Sequence, residues 1–97
     1  NEPIASAGMK IVWDGVAEGW VLATSKVWQH PIVIARAIKK NFARLAKENN
    51  IKRVQTAVRA DFKIGLKFAS WLGLEQEGLM KKYGFDGSDH YRYARIF

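Results

Sequence analysis

The feature that most narrows the fold is a change of period. From Pro31 to Asn49-Asn50, apolar residues return every three or four positions. Ile34, Ala35, Ile38, Phe42, Leu45 and Ala46 fall on one helical face, while Arg36, Lys40, Arg44 and Lys47 fall on the other. On both sides of this stretch the pattern is strand-like. Ala17 to Val27 is apolar on both faces through Trp20, Val21, Leu22 and Ala23, which predicts a central, buried strand. Arg53 to Val58 sets Val54, Thr56 and Val58 on one face. A strand–helix–strand unit from Val21 to Val58 predicts two parallel strands in one sheet, because the helical crossover brings the chain back in the same direction.

The flanks add antiparallel pieces. Ile4 to Trp13 alternates, with Ala5, Ala7, Met9, Ile11 and Trp13 on one face and Ser6, Gly8 and Lys10 on the other. Asp14-Gly15 then reads as a hairpin turn. Pro31 opens the first helix, where a missing N–H costs nothing, and Asn49-Asn50 closes it. Asp61 is the expected N-cap of a second helix, whose buried side is Ile64, Phe68, Trp71 and Leu72 and whose end is marked by Gly73. Strands are expected from Leu74 to about Met80 and from His90 to Phe97, around a turn-rich loop from Tyr83 to Asp89. The order is β-β-α-β-α-β-β, a mixed-sheet α/β domain occupying residues 1–97 as a single unit.

Composition removes several function classes. At 97 residues the chain has room for one domain, and 48% hydrophobic residues suffice for a core. The absence of cysteine excludes disulfides, thiol nucleophiles and thiolate metal sites. No apolar run is long enough to span a membrane, and the start lacks signal-peptide order. His30 and His90 have no companions at ligand spacing, so no metal is expected. A formal charge of +7 suits an anionic partner without choosing one.

Three segments carry a family resemblance: HPIVIARAI (His30 to Ile38), VRADFKIGLKFASWLGL (Val58 to Leu74) and EGLMKKYGFDGSDHYRYARI (Glu77 to Ile96). Together they resemble the GNAT acetyltransferase superfamily, most of all GNAT-like proteins of bacteriophages and prophages. The first lies where that family has its Arg-Gly-x-Gly-x-Gly/Ala loop, the second matches a strand end, helix and closing Leu-Gly-Phe, and the third resembles the final hairpin. Against the family plan, the first strand, two helices and the next strand are missing. The resemblance implies a partial acyl-CoA N-acyltransferase fold. It also implies acetyl-CoA in a gap between two splayed parallel strands, with the pyrophosphate on a helix N-terminus.

Carried onto this chain, backbone atoms near Thr24, Ser25 and Val27 would hold the pantetheine arm. His30, Val33, Ile34, Ala35 and Arg36 would stand at the phosphates. Only Ala35 fits the glycine loop. Pro31 removes a donor and Ile32, Val33 and Ile34 are bulky, so the cradle is weakened. The family's helix asparagine is here Phe62, and its proton-donating tyrosine falls at Phe68-Ala69. Glu18 is the candidate general base, with Tyr83, Tyr91, Tyr93 and His90 within possible reach from the last hairpin. Plainer readings stand beside these. Glu18 can be a solvated edge residue, His30 a helix-start residue, the cationic stripe a wet face, and Trp13, Trp20, Trp28 and Trp71 packing residues. The implied function is acetyl transfer from acetyl-CoA to a small-molecule or protein amine. The alternative is a non-catalytic phage structural or host-interaction protein, with a homo-oligomer or a phage or host protein as partner. Nucleic acid ranks last and no membrane is expected. The expected setting is the cytoplasm of a bacterial host.

Overall fold

The computed structural model describes residues 5–23 and 29–97; of residues 5, 6 and 21–23 only the backbone is described. The elements are β1 (Ala5–Trp13), β2 (Val16–Ala23), α1 (Pro31–Glu48), β3 (Arg53–Arg59), α2 (Lys63–Trp71), β4 (Glu75–Met80) and β5 (His90–Ile96). They build one five-stranded sheet in the order β1-β2-β3-β5-β4. β2 and β3 are parallel, and every other neighbouring pair is antiparallel. The expected order and mixed sheet are therefore observed. The run Thr24, Ser25, Val27 and Trp28, which the sequence joins to β2, lies outside the described residues.

Both helices pack on one face of the sheet. Ala35, Ile38 and Phe42 of α1 meet Phe68 and Ala69 of α2, together with Leu72, Leu74 and Tyr93. A second cluster of Ala17, Ala46, Ile51 and Val54 continues the core under the last turns of α1. Among the described residues no helix covers the opposite face. It presents Glu18, Arg53, Gln55, Ala57, His90 and Arg92, which alternate with the core residues of their strands.

The turns follow local chemistry. Gly15 takes φ +83 in the β1–β2 turn, and its carbonyl accepts the amides of Lys52 at 2.7 Å and Arg53 at 2.9 Å, tying the hairpin to the start of β3. Asn50, at φ 58, ends α1 in the left-handed conformation, and Ile51 N–H returns to the Ala46 carbonyl at 2.8 Å. Gly73, at φ +88, does the same for α2, with Leu74 N–H on Ala69 O at 3.1 Å.

Five details depart from the sequence reading. Phe62, not Asp61, is the N-cap of α2, and no side chain caps it. The Asp61 carboxylate is instead bound by Arg59, at 3.1 Å from Nε. Ile64 is 49% exposed and Trp71 37%, because they sit in the first and last turns of a helix only nine residues long, whose buried residues are Phe68 and Ala69. β2 is interior in the sheet but covered on one face only, so Trp20 is 44% exposed. Trp13, expected to pack, is 63% exposed, beyond an irregularity in the β1–β2 register between Ile11 and Trp13. Leu74 is buried but precedes β4, which starts at Glu75.

Candidate functional site

The site begins as an unfinished ladder. β2 and β3 pair at only three positions: Val16 with Arg53, Ala17 with Val54, and Glu18 with Gln55. Beyond them β2 continues to Ala23, held by β1, and β3 continues to Arg59, held by β5. Each strand keeps its antiparallel partner and loses its parallel one. Between Gly19–Ala23 and Thr56–Arg59 the parallel pairing is absent, leaving a gap in the ladder whose backbone N–H and C=O groups have no ladder partners across it. Unpaired backbone groups of this kind require another acceptor or donor, from water or a ligand.

Gly19 stands at the fork. A Cβ there would lie 3.1 Å from Val54 Cγ1 and 3.5 Å from Phe42 Cζ, so glycine lets β2 lie close against the core as it swings away from β3. The first turn of α1 follows the chain that leaves β2. His30 is its N-cap, Pro31 its first residue, and the first turn holds no acidic residue. A helix start leaves its first amides without intrahelical acceptors, and Pro31 supplies none, so the free donors are chiefly those of Ile32 and Val33. Their alignment favours an anion.

The helix-free side of the fork is polar. Glu18 accepts from Gln55 Nε2 at 3.3 Å and from Arg92 Nη1 at 3.3 Å. Arg92 belongs to β5, opposite Ala57 of β3, so its side chain crosses the whole width of β3 to reach β2. The small Ala57 side chain leaves room for that crossing. Arg92 also stands over the Tyr83 ring, 5.8 Å from its centroid, and Tyr83 tilts against His90 at 5.4 Å. A neighbouring pair is more tightly made: Arg53 donates to both carboxylate oxygens of Glu77, one at 3.0 Å, and to Gln55 at 2.9 Å. The hydrogen bond from Arg53 holds the Glu77 carboxyl below the usual range.

At the outer end of the gap, Arg59 fastens the loop that follows β4. It donates to Asp86 at 2.8 Å as well as to Asp61. Hydrogen bonds from Ser88, and then from Arg59, hold the Asp86 carboxyl far below its ordinary value, and Arg59 lowers Asp61 in the same way. Asp89 completes the clasp, its backbone carbonyl taking Ala60 N–H at 2.9 Å and its carboxylate taking Lys82 N–H at 2.9 Å.

The structure brings some of the residues singled out in the sequence to this gap and separates others. Glu18 is at the fork. His30, Val33 and Arg36 are exposed at the start of α1, Ile34 is half-buried, and Ala35 is 1% exposed in the core. The Phe68-Ala69 pair is buried, with Phe68 edge-on to Trp71, so α2 offers no proton carrier there. Tyr93 is buried on the helix side, its hydroxyl donating to Gln76 at 3.3 Å. Tyr83 and His90 gather near Arg92. Gln55 and Arg92 were not singled out, although the alternation of Tyr91, Arg92 and Tyr93 already sets Arg92 on the face opposite the two aromatics. Among the described residues no group of His, Asp and Glu is placed to hold a metal. A separate concavity of about 510 Å³ lies at the far end of the sheet, lined by Asp14, Gly15, Val16, Asn49, Asn50, Lys52 and Arg53, away from the fork.

No protein-family model matches the sequence, and no curated protein matches it. Solved structures do. The ribosomal-protein-S5-alanine acetyltransferase of Vibrio fischeri superposes with a TM-score of 0.79 at 21% identity, over 96% of this chain and 54% of its own. A GNAT-family acetyltransferase of Bacillus anthracis gives 0.81 at 16% identity, over 96% and 58%. The fold is part of the GNAT acetyltransferase fold. The microcin C7 self-immunity acetyltransferase MccE, solved with acetyl-CoA and AMP, gives 0.73 at 21% identity, over 87% of this chain and 48% of its own. This chain thus spans about half the length of the GNAT structures it matches, and at these identities the likeness is one of fold.

Proposed function

We propose that this chain provides the acyl-donor half of an N-acetyltransferase-like site, taking acetyl-CoA in the gap between β2 and β3 and serving a primary amine. The observation that supports this most is the three-residue limit of the parallel ladder, followed by a helix start without acidic residues. The chemistry of the donors fits an elongated, amide-bearing, anionic ligand. Unpaired backbone groups along both edges match a pantetheine arm. The start of α1, with His30 and Arg36 beside it, suits phosphate. Pro31 and the side chains of Ile32 and Val33 make that end a loose cradle.

Bound acetyl-CoA supplies an acetyl group activated as a thioester. This chain's part is to hold the donor rigid and to turn backbone N–H groups of the gap toward the carbonyl oxygen, where negative charge develops. Glu18, at the base of the gap, accepts the proton that the amine nitrogen loses. Buried Phe68 and Ala69 give no proton to the departing thiolate, so water does.

The test is thermal melting with acetyl-CoA. Saturable stabilisation is expected, about 2.7 kcal/mol when the ligand stands at a hundred times its Kd. A melting curve unmoved by millimolar acetyl-CoA rejects the reading. The missing proton carrier at Phe68 supports a second reading, a non-catalytic protein that keeps the fold. Stabilisation without thiol release, across a broad panel of amines, would select it.

A further inference from the structure

The geometry points to an acceptor that carries a carboxylate close to its amine, of the amino-acid type, held between Glu18 and Arg92. The inference rests on the reading above, in that the gap takes the acyl donor and Glu18 faces the amine. Among the described residues the Glu18–Arg92 ion pair is the longest, at 3.3 Å. Arg53 and Glu77 share two hydrogen bonds, whereas Glu18 and Arg92 share one, at 3.3 Å. Arginine has five N–H donors, and among the described residues Arg92 spends one of them on a hydrogen bond. Among the described residues Glu18 accepts two long hydrogen bonds, fewer than its carboxylate oxygens can take. Both side chains are partly open to solvent, at 20% for Arg92 and 37% for Glu18.

An entering zwitterion can therefore replace one weak contact with two stronger ones. Its ammonium meets Glu18, and its carboxylate meets the spare donors of Arg92 in the paired geometry that guanidinium favours. The walls suit a short body. Trp20, two residues along β2, lies across Gly8, where a Cβ would come within 2.6 Å of its ring, and Tyr83 stands on the far side of Arg92. The same arrangement disfavours a polycationic amine. Such a ligand brings extra positive charge to Arg92, near Arg53 and Arg59, on a chain of net charge +7.

Calorimetric titration without acetyl-CoA tests this separately from donor binding. L-alanine and L-alaninamide differ in the carboxylate. The peptide amides Asp-Ala and Ala-Ala ask the same of a peptide N-terminus, and spermidine supplies the polycation. Wild type is expected to prefer the carboxylate-bearing member of at least one pair by about tenfold, the worth of one charge-assisted contact. The pair that discriminates identifies a free amino acid or a peptide as the source. Arg92→Met is expected to erase the preference, and Arg92→Lys to restore part of it, while acetyl-CoA still raises the melting temperature of each variant. Equal affinities within both pairs, tightest binding by spermidine, no binding of any probe, or a preference that survives Arg92→Met would each overturn the proposal. Should Arg92→Met fail to fold, the wild-type comparison of the two pairs decides alone.

Discussion

Gly19 shows how one missing side chain positions a site. It follows the last rung shared by β2 and β3, and a Cβ added there would meet Val54 and Phe42. Gly19→Val forces extra methyl groups into this filled space and is expected to cost about 1–3 kcal/mol, read as a lower urea midpoint with the same slope. Gly73 is constrained for a different reason. Its φ of +88 lies in the left-handed region, and a Cβ would meet the Lys39 side chain at 3.1 Å. Gly73→Ala is expected to destabilise by about 1 kcal/mol or more in the same assay. Arg92 is the residue least evident in the sequence. Alternation assigns its face, but only the structure shows that it spans β3 to reach Glu18. A contact between residues 74 positions apart leaves no local trace in a pattern of hydrophobicity.

The loop between β4 and β5 is held by charge. Asp61 and Asp86 both titrate below the ordinary carboxylate value in the folded protein. A depressed folded-state value adds stability above the unfolded value of about 3.9 and loses it as pH falls through the folded one. The clasp is thus complete at neutral pH and is expected to release only in strong acid. Carboxyl-carbon NMR of Arg59→Gln should show both titrations moved up toward the ordinary range, with little change in overall stability, since exposed pairs contribute little. The elements themselves were mostly legible before the structure. The period change gave α1, Asp14-Gly15 gave the hairpin, and Asn50 and Gly73 gave the two helix ends. The start of α2 was not legible, because a capping aspartate and an arginine-bound aspartate look alike in sequence. Nor was the one-sided cover of β2. An apolar run on both faces implies burial on both, whereas here Trp20 faces the side that carries no helix.

At the scale of the molecule, charge and topology act together. A net charge of +7 would raise the local concentration of an anionic ligand such as the proposed donor, acetyl-CoA. Its affinity should therefore fall severalfold between about 50 and 300 mM salt, as screening shortens the reach of the field. A salt-independent Kd, measured by calorimetry, would place the attraction in short-range contacts alone. The fork has a mechanical side as well. Among the described residues, three rungs, the Gly15 carbonyl, the contacts of Glu18 with Gln55 and Arg92, and the seat of α1 fasten the β1–β2 ribbon to the other three strands. The ribbon is consequently the natural flap of this architecture. Its amides should exchange with deuterium as a single group, ahead of those in β3 and β5, and a molecule lodged in the cleft should slow the two halves to a common rate.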